Sequence, residues 1–225
     1  QHADLGLLSI GAIDVPRGCD ATIVDLEKIL SITECEIVIA ENNSQVNKIL
    51  SIKDKLPVVK KIIHFENDIK DEVRADASSK NVELYYFQDL LVEGQKWRIT
   101  NKNVVEEELQ KGNSDDLATY IFTSGTTGTP KGVMLTHRNF LAQLDEIPER
   151  IYLNPGDKGI VVLPIWHSFE REVEYVVMCQ AATICYSKPI GSILLADLKK
   201  LNPHVLPAVP RVFEAVYDGV TKKIR

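Results

Sequence analysis

The sequence has no excess of positive charge. Its 225 residues include 26 Lys and Arg against 32 Asp and Glu, which gives a formal net charge of -6. A protein that binds nucleic acid has to neutralise the phosphate backbone with a basic surface. The charge balance therefore argues against nucleic acid as a partner.

Long apolar runs are also missing. Stretches such as residues 160–166 are far shorter than the roughly 20 residues that a transmembrane helix needs. The first ten residues include Asp4 and have no basic cluster before an apolar core, so they do not read as a secretory signal. We therefore expect no transmembrane segment and a cytoplasmic location, with peripheral membrane contact left open.

Paired cysteines are absent too. The four cysteines stand singly and form no CxxC pair, which argues against a zinc ribbon or a redox motif. Cys179 and Cys185 lie among Val, Ala and Ile, so we expect both to behave as small buried apolar residues.

Hydrophobic residues make up 44% of the chain and charged residues 26%, a balance typical of globular protein. Short runs rich in Val, Ile and Tyr alternate with amphipathic segments of helical length. This pattern predicts an α/β fold with largely parallel sheets and crossover helices. The predicted strands are 12–15, 36–40, 59–65, 118–123, 159–163, 183–186 and 205–208, and the predicted helices are 21–33, 44–52, 137–151, 169–180, 193–201 and 210–225.

Individual residues indicate where some of these helices begin. Asp20 and Ser44 are predicted helix caps, and Pro210 suits a first helical position. The polar stretch 66–116 predicts a surface excursion, within which the apolar segment 85–97 should pack on something. We expect no domain boundary there.

The most informative segment is YIFTSGTTGTPKGV, residues 120–133, where a β-rich run ends in hydroxyls and glycines. Glycines allow backbone N–H groups to approach an anion closely, and hydroxyls add neutral donors. Lys131 adds a positive charge, worth on the order of 4 kcal/mol toward a phosphate at close range near a protein surface. The alternative is an ordinary Ser/Thr/Gly-rich surface loop. Because Lys131 is followed by Gly132, the segment is not a Walker A loop.

The run TSGTTGTPKG, continued by THRN at 136–139, resembles the phosphate-loop signature of the adenylate-forming (AMP-binding) superfamily. This superfamily includes acyl-CoA synthetases, luciferases and peptide-synthetase adenylation domains. The resemblance implies the fold of their large N-terminal domain and a loop that wraps the β- and γ-phosphates of ATP. A triphosphate also implies Mg²⁺, held partly by phosphate oxygens and by one loop hydroxyl, for which Thr123 is the candidate. The implied nucleotide-binding residues are Thr123, Ser124, Gly125, Thr126, Thr127, Gly128 and Lys131.

A second constellation is LPIWHSFERE, residues 163–172, where a strand is predicted to end and a helix to begin. In the family that this chain resembles, a histidine at this strand end lies beside the acyl carboxylate and the α-phosphate. The resemblance therefore implies an orienting role for His167 at the catalytic centre and a place for Trp166 in the acyl pocket wall. Two plainer readings stay open: a packing or capping histidine, and a solvated helix face for Glu170 and Arg171.

Three segments resemble the long-chain fatty acyl-CoA and acyl-carrier-protein synthetase branch of that superfamily. They are FERE at 169–172, GAIDVPRG at 11–18 and VPRVFEAVY at 209–217. The implied reaction is formation of an acyl-adenylate from ATP and a fatty acid, followed by transfer to the thiol of CoA or of carrier phosphopantetheine. The implied partners are these small molecules. Adenylation of another carboxylic acid and a catalytically silent nucleotide-binding module are the alternatives.

The resemblance also implies parts that this sequence does not contain. Motifs for adenine, ribose and Mg²⁺, a hinge and a small mobile domain with a catalytic lysine would follow Arg225. We therefore expect residues 1–225 to be a partial AMP-binding (adenylation) domain that is inactive by itself. We further expect the loop 123–131 to follow a strand directly and to be mobile without nucleotide, and His167 to face the same cleft as that loop.

Overall fold

The structure is a computed structural model that describes the backbone of residues 1–123 and 130–224 and the side chains up to residue 221. Contacts divide the chain into two compact units, the first comprising 1–112 and 122–133, the second 113–121 and 134–225. The helices are α1 His2–Ser9, α2 Ile23–Thr33, α3 Asn43–Ser51, α4 Asp71–Ser79, α5 Phe87–Thr100, α6 Val104–Lys111, α7 His137–Arg150, α8 Ser168–Cys179, α9 Gly191–Leu201 and α10 Pro210–Ile224. The strands are β1 Ile37–Ala40, β2 Lys61–His64, β3 Glu83–Tyr86, β4 Leu117–Thr123, β5 Lys131–Thr136, β6 Lys158–Val161 and β7 Thr183–Tyr186.

The first unit contains a parallel sheet in the order β1-β2-β3. Parallel neighbours need a crossover connection, and α3 and α4 provide the two crossovers. Ile62 in the central strand is fully buried. Around it, the helices contribute apolar residues spaced three and four apart, as expected for one buried helix face. These residues are Val46, Ile49 and Leu50 of α3 and Val73 and Ala77 of α4.

The helix starts in this unit differ from the predicted caps. Thr22, not Asp20, caps α2 by accepting a hydrogen bond from the Asp25 N–H at 3.1 Å. Asn42, not Ser44, caps α3 in the same way. In each place the sequence offers more than one good capping residue, and the backbone direction set by the sheet selects between them.

The prediction of a surface excursion over 66–116 is wrong in part. The segment contributes α4 and its buried residues, and β3, which completes the sheet. In contrast, α5 contributes no buried residue to the described part of the unit, and Trp97 is 52% exposed. The expectation that the apolar stretch 85–97 packs within the chain therefore holds for its strand residues and for Phe87, whose ring meets that of Phe65 with centroids 4.9 Å apart, while residues 91–97 are exposed.

The second unit contains the parallel pair β6–β7, with α8 as its crossover helix. Its core includes Ile160, Val162, Leu194 and Val212. Two of the predicted strands are wrong. Within 205–208, Val205 makes a single parallel bridge to Gly159, and 12–15 has one isolated bridge residue. A single bridge satisfies too few backbone groups to extend into a strand.

At Gly159, β6 lies close to Val177 of α8. A Cβ at this position would lie 2.8 Å from Cγ2 of Val177, a distance that forces a shift. We expect Gly159→Ala to lower the free energy of unfolding by about 1 to 2 kcal/mol through overpacking, measured by urea denaturation. Val177→Ala in the same chain should restore most of the loss.

Gly94 supplies the matched control, because a Cβ there meets nothing within 4 Å in the middle of α5. Gly94→Ala should leave stability equal or slightly higher, since alanine favours the helix. Equal effects of the two alanine substitutions would contradict the close approach at Gly159.

We expected Cys179 and Cys185 to be buried. Cys179 is exposed, so the expectation is wrong for it, and Cys185 is half-buried. Cys179 is the last residue of α8, so the apolar neighbours in sequence lie on another face of the helix from its thiol. No helix in the described ranges is both long and apolar enough to cross a lipid bilayer.

Candidate active site

The ends of the predicted phosphate loop coincide with strand ends. Thr123 is the last residue of β4, and Lys131 is the first of β5; both are exposed. This confirms that the loop directly follows a strand. Residues Ser124 to Gly128, and with them the expectation of mobility, lie outside the described residues.

An aromatic contact joins the two sides of the loop base. Phe122 is 7% exposed, and a Cβ on Gly132 would lie 3.0 Å from Cζ of its ring. The ring therefore occupies the space that any side chain at 132 would need. This packing fixes the spacing of β4 and β5 immediately before Thr123 and after Lys131, so the two candidate phosphate ligands project from an anchored base.

The THRN part of the motif has a structural role in this chain. Thr136 and Asn139 form a reciprocal capping box at the start of α7, in which the Thr136 N–H donates to Asn139 Oδ1 at 2.8 Å. Arg138 makes a two-point ion pair with Asp115, and its hydrogen bonds lower the pKa of that carboxyl. These contacts tie the residues before β4 to those after β5, so this half of the motif serves the fold.

His167 is the N-cap residue of α8, shortly after β6 ends at Val161. Its Nδ1 accepts a hydrogen bond from the Phe169 N–H at 3.3 Å, and the side chain is exposed. In the neutral ring this bond places the proton on Nε2, where it can be donated to an oxyanion. The capping interpretation is thus correct and is compatible with a ligand contact. That His167 faces the phosphate loop stays a prediction.

The charged residues after His167 are buried. Glu170 is 1% exposed and Arg171 2%, so the solvated-face interpretation of this pair is wrong. The Arg171 guanidinium carbon lies 5.4 Å from the ring centroid of Phe140 and 5.7 Å from that of Tyr175, and Nε donates to the Tyr175 hydroxyl at 2.7 Å. Arg171 therefore fastens α8 to α7 through the Phe140 ring, while its bond to Tyr175 lies within α8.

Burial raises the pKa of Glu170 from 4.5 to about 7. The N–H groups of Val162 and Leu163 oppose this rise, although neither meets the carboxylate in good hydrogen-bonding geometry. The folded chain thus holds a proton that the unfolded chain loses above its ordinary pKa.

Stability should therefore fall as the pH rises from about 5 to 8, since the folded state binds more protons throughout this window. We expect Glu170→Gln to reduce the fall by about 2 kcal/mol. Urea denaturation at a series of pH values measures the difference. A variant whose unfolding free energy follows the wild-type pH profile would contradict it.

An apolar cavity of about 690 Å³ lies within the second unit. Its size falls in the range of small-molecule sites, roughly 300 to 1,000 Å³. One wall is a stripe of α7 and another is the face of α8 that carries Phe169, Val173 and Val176. The rest comes mainly from 205–208 and Phe213 of α10. Fourteen of its lining positions are apolar, and the four polar ones are Asn139, Gln143, Ser168 and Glu172.

Glu172 is the one ionisable residue among the described residues that line the cavity. Desolvation raises its pKa from 4.5 to about 7. Its Oε1 is buried and has no hydrogen-bond partner. In the sequence, Glu172 stands out only as the last residue of the FERE motif. The helical spacing of Phe169, Glu172, Val173 and Val176 is the signal that could have placed it on an apolar face.

Trp166, expected in the acyl pocket wall, is half-buried and is not one of the described residues that line this cavity. Phe169 provides the aromatic surface instead, although its side chain is also partly open to solvent at 43% exposure. The difference follows from the helix start at Ser168, which directs residues 169, 172, 173 and 176 along one side.

Comparison with known protein families gives one match over nearly the whole chain. A family model described as AMP-binding enzyme matches residues 2–224. The match covers the phosphate-loop segment, His167 and every residue of the cavity wall.

Several curated proteins are similar to this chain. Probable acyl-activating enzyme 16, chloroplastic, from Arabidopsis thaliana is 31% identical over 99% of the chain and 30% of its own length. A chloroplastic long-chain-fatty-acid–acyl-carrier-protein ligase from the same plant is 30% identical over the same shares. Long-chain-fatty-acid–CoA ligase 1 from Homo sapiens is 41% identical over 47% of the chain and 16% of its own length. The chain spans about 30% of the first two relatives.

Solved structures share the fold. The anthranilate CoA ligase AuaEII in complex with anthranoyl-AMP superposes with a TM-score of 0.70 at 16% identity, over 95% of this chain and 38% of that one. VinN in complex with L-aspartate gives a TM-score of 0.68 at 15% identity, over 97% and 48%. At such identities the likeness establishes the α/β fold with parallel strands and crossover helices.

Proposed function

Because this chain belongs to the AMP-binding enzyme family, we propose that a longer protein containing it activates a fatty acid with ATP. In the first step a carboxylate oxygen attacks the α-phosphate, which gives acyl-adenylate and pyrophosphate. In the second step the thiol of CoA, or of a carrier phosphopantetheine, attacks the acyl carbon and releases AMP. The relatives named as long-chain-fatty-acid ligases support this choice of acid and leave both acceptors open.

The apolar cavity is the observation that carries the choice of a fatty acid. Its volume and aliphatic walls suit a hydrocarbon chain, and each buried CH₂ group contributes about 0.8 kcal/mol. An amino acid would present its ammonium group to walls that offer mainly Val, Leu and Ile side chains. The cavity therefore favours an acyl chain over a small polar acid.

His167 and Ser168 lie at the start of α8, and they give the cavity wall formed by α8 a polar end. Ser168 lines the cavity, and His167 precedes it as the cap of α8. The free N–H groups and the dipole at a helix start favour negative charge. In the proposal the acyl chain lies along α8, and the carboxylate is oriented by Nε2–H of His167.

In the proposal the β4–β5 segment binds the nucleotide. Thr123 and Lys131, together with Ser124, Gly125, Thr126, Thr127 and Gly128, would hold the β- and γ-phosphates. Mg²⁺ keeps several waters and takes few protein ligands beside phosphate oxygens. Thr123 is an exposed residue at the end of β4, and its hydroxyl would serve as a protein ligand of such an ion. When bound, the ion would neutralise phosphate charge.

The chain by itself is proposed to be a partial adenylation domain without activity. It offers phosphate donors and an acyl cavity, while the expected adenine, ribose and hinge motifs are not among its residues. A cytoplasmic location is also part of the proposal. Fractionation of cells that express the longer protein tests it against the chloroplast location in the names of two relatives.

Pyrophosphate release with three classes of acid tests the function. We expect the longer protein to release pyrophosphate with long-chain fatty acids and to respond far less to amino or aryl acids. A preference for amino or aryl acids would move the proposal to a different adenylate-forming enzyme. ATP binding with no release for any acid would indicate a silent nucleotide-binding module. Fatty-acid-dependent release by the 225-residue chain alone would overturn the claim that it is incomplete.

A further inference from the structure

The four polar residues that line the cavity differ in their hydrogen bonds and their exposure. Asn139 Oδ1 accepts from the Thr136 N–H at 2.8 Å and belongs to the helix cap. Ser168 opens α8 beside the His167 cap, and Gln143 is exposed. Glu172 differs from all three, because its Oε1 is buried and accepts nothing.

A buried carboxyl oxygen without a partner costs free energy that a hydrophobic residue would not. An ordered water requires two to four polar partners, whereas on the α8 part of the cavity wall Ser168 is the one polar residue near Glu172, and Phe169, Val173 and Val176 are apolar. A ligand that carries a hydrogen-bonding group of its own would remove the cost. The position of Glu172 thus indicates that the ligand carries a hydrogen-bonding group.

We propose that the cavity prefers acyl chains that carry a hydroxyl group and that Glu172 is the specificity-determining residue that pairs with it. The inference rests on the proposed function, because it assigns the acyl chain to this cavity. A hydroxyl both donates and accepts, so it satisfies Glu172 in either protonation state. No other ionisable side chain lies among the described lining residues to hold a charged substituent.

The preference should be measurable as a difference between two substrates. A site built to hydrogen-bond a hydroxyl rejects the analogue that lacks it, because the polar group of the site is then left unpaired. An aliphatic pocket, in contrast, distinguishes poorly between a chain and its hydroxylated form. The Glu172 carboxyl gives this otherwise aliphatic cavity a group that can hydrogen-bond a hydroxyl on the acyl chain.

The test compares plain and hydroxylated fatty acids of one chain length in the longer protein, with the hydroxyl moved along the chain. We expect kcat/KM to be about tenfold higher for the best hydroxylated acid than for the plain acid. Glu172→Leu should abolish this ratio, raising kcat/KM for the plain acid and lowering it for the hydroxylated one. Glu172→Gln, which still donates and accepts, should retain most of the preference.

Glu149→Leu on the exposed side of α7 is the matched control and should leave the ratio unchanged. If Glu172→Leu alters both substrates equally, or if the wild type favours the plain acid at every hydroxyl position, the specificity role is overturned while fatty-acid activation stands. If neither kind of fatty acid releases pyrophosphate, the proposed function fails, and this inference fails with it.

Discussion

Replacing Lys131 by alanine in a longer protein that contains this chain is expected to slow acyl-adenylate formation about ten- to a hundred-fold. Lys131 is exposed at the start of β5, directly after the loop. No hydrogen bond or ion pair holds its ammonium group among the described residues, so we expect it to contribute little to the folded state and to act when phosphate binds. Loss of one charge-assisted hydrogen bond costs roughly 1.5 to 3 kcal/mol, which gives the stated range.

Pyrophosphate release measures this effect, and the thermal midpoint should stay nearly constant. Lys102→Ala is the matched control, since Lys102 is an exposed lysine in the turn between α5 and α6. A variant at Lys131 that unfolds at lower temperature would show a structural role instead. Equal activities of the two alanine variants would remove Lys131 from the nucleotide site.

Arg171→Leu should cause the largest loss of stability, about 4 kcal/mol. The substitution removes a hydrogen bond from a charged group, worth about 1.5 to 3 kcal/mol, and the stacking of the guanidinium on Phe140 and Tyr175, worth about 2 kcal/mol when desolvated.

Urea and thermal denaturation measure the loss, with a midpoint lowered by about 10 °C for a chain of this size. Tyr175→Phe is the milder comparison, because it removes only the hydroxyl that accepts from Arg171 and keeps the ring, and about 2 kcal/mol is expected. Arg171→Lys should fall between the two, since an ammonium group cannot stack as a planar fork does. A leucine variant as stable as the wild type would mean that hydrophobic packing replaces the ion without cost, as it does at some buried ion pairs.

The regular elements with strong local signals were predictable. Strand 183–186 and the start of α10 at Pro210 agree with the sequence-based boundaries. The helix α8 was expected at 169 and begins at 168. Such segments combine a clear hydrophobic period with a turn or capping residue, so local sequence decides them.

The errors fall where distant contacts decide. The residues of β3 form a strand because the edge of β2 pairs with them, whereas 205–208 contributes one bridge residue to the edge of β6. Both segments are short, and Pro207, which has no N–H to donate, is the one local sign against a longer strand at 205–208. For β3 the deciding factor is pairing with β2, which is a property of the sheet and not of residues 83–86 themselves.

The sequence by itself determined the family, through the run from Thr123 to Asn139, and the chemistry expected of Lys131 and His167. It did so because a phosphate loop is a local device whose glycines, hydroxyls and lysine are consecutive in the chain. Tertiary structure alone decided that Arg171 is buried against the rings of Phe140 and Tyr175 and that Glu172 borders an apolar cavity. The side that a helix residue faces depends on the surfaces packed against it, and those surfaces come from α7, α10 and 205–208, distant in the sequence from α8.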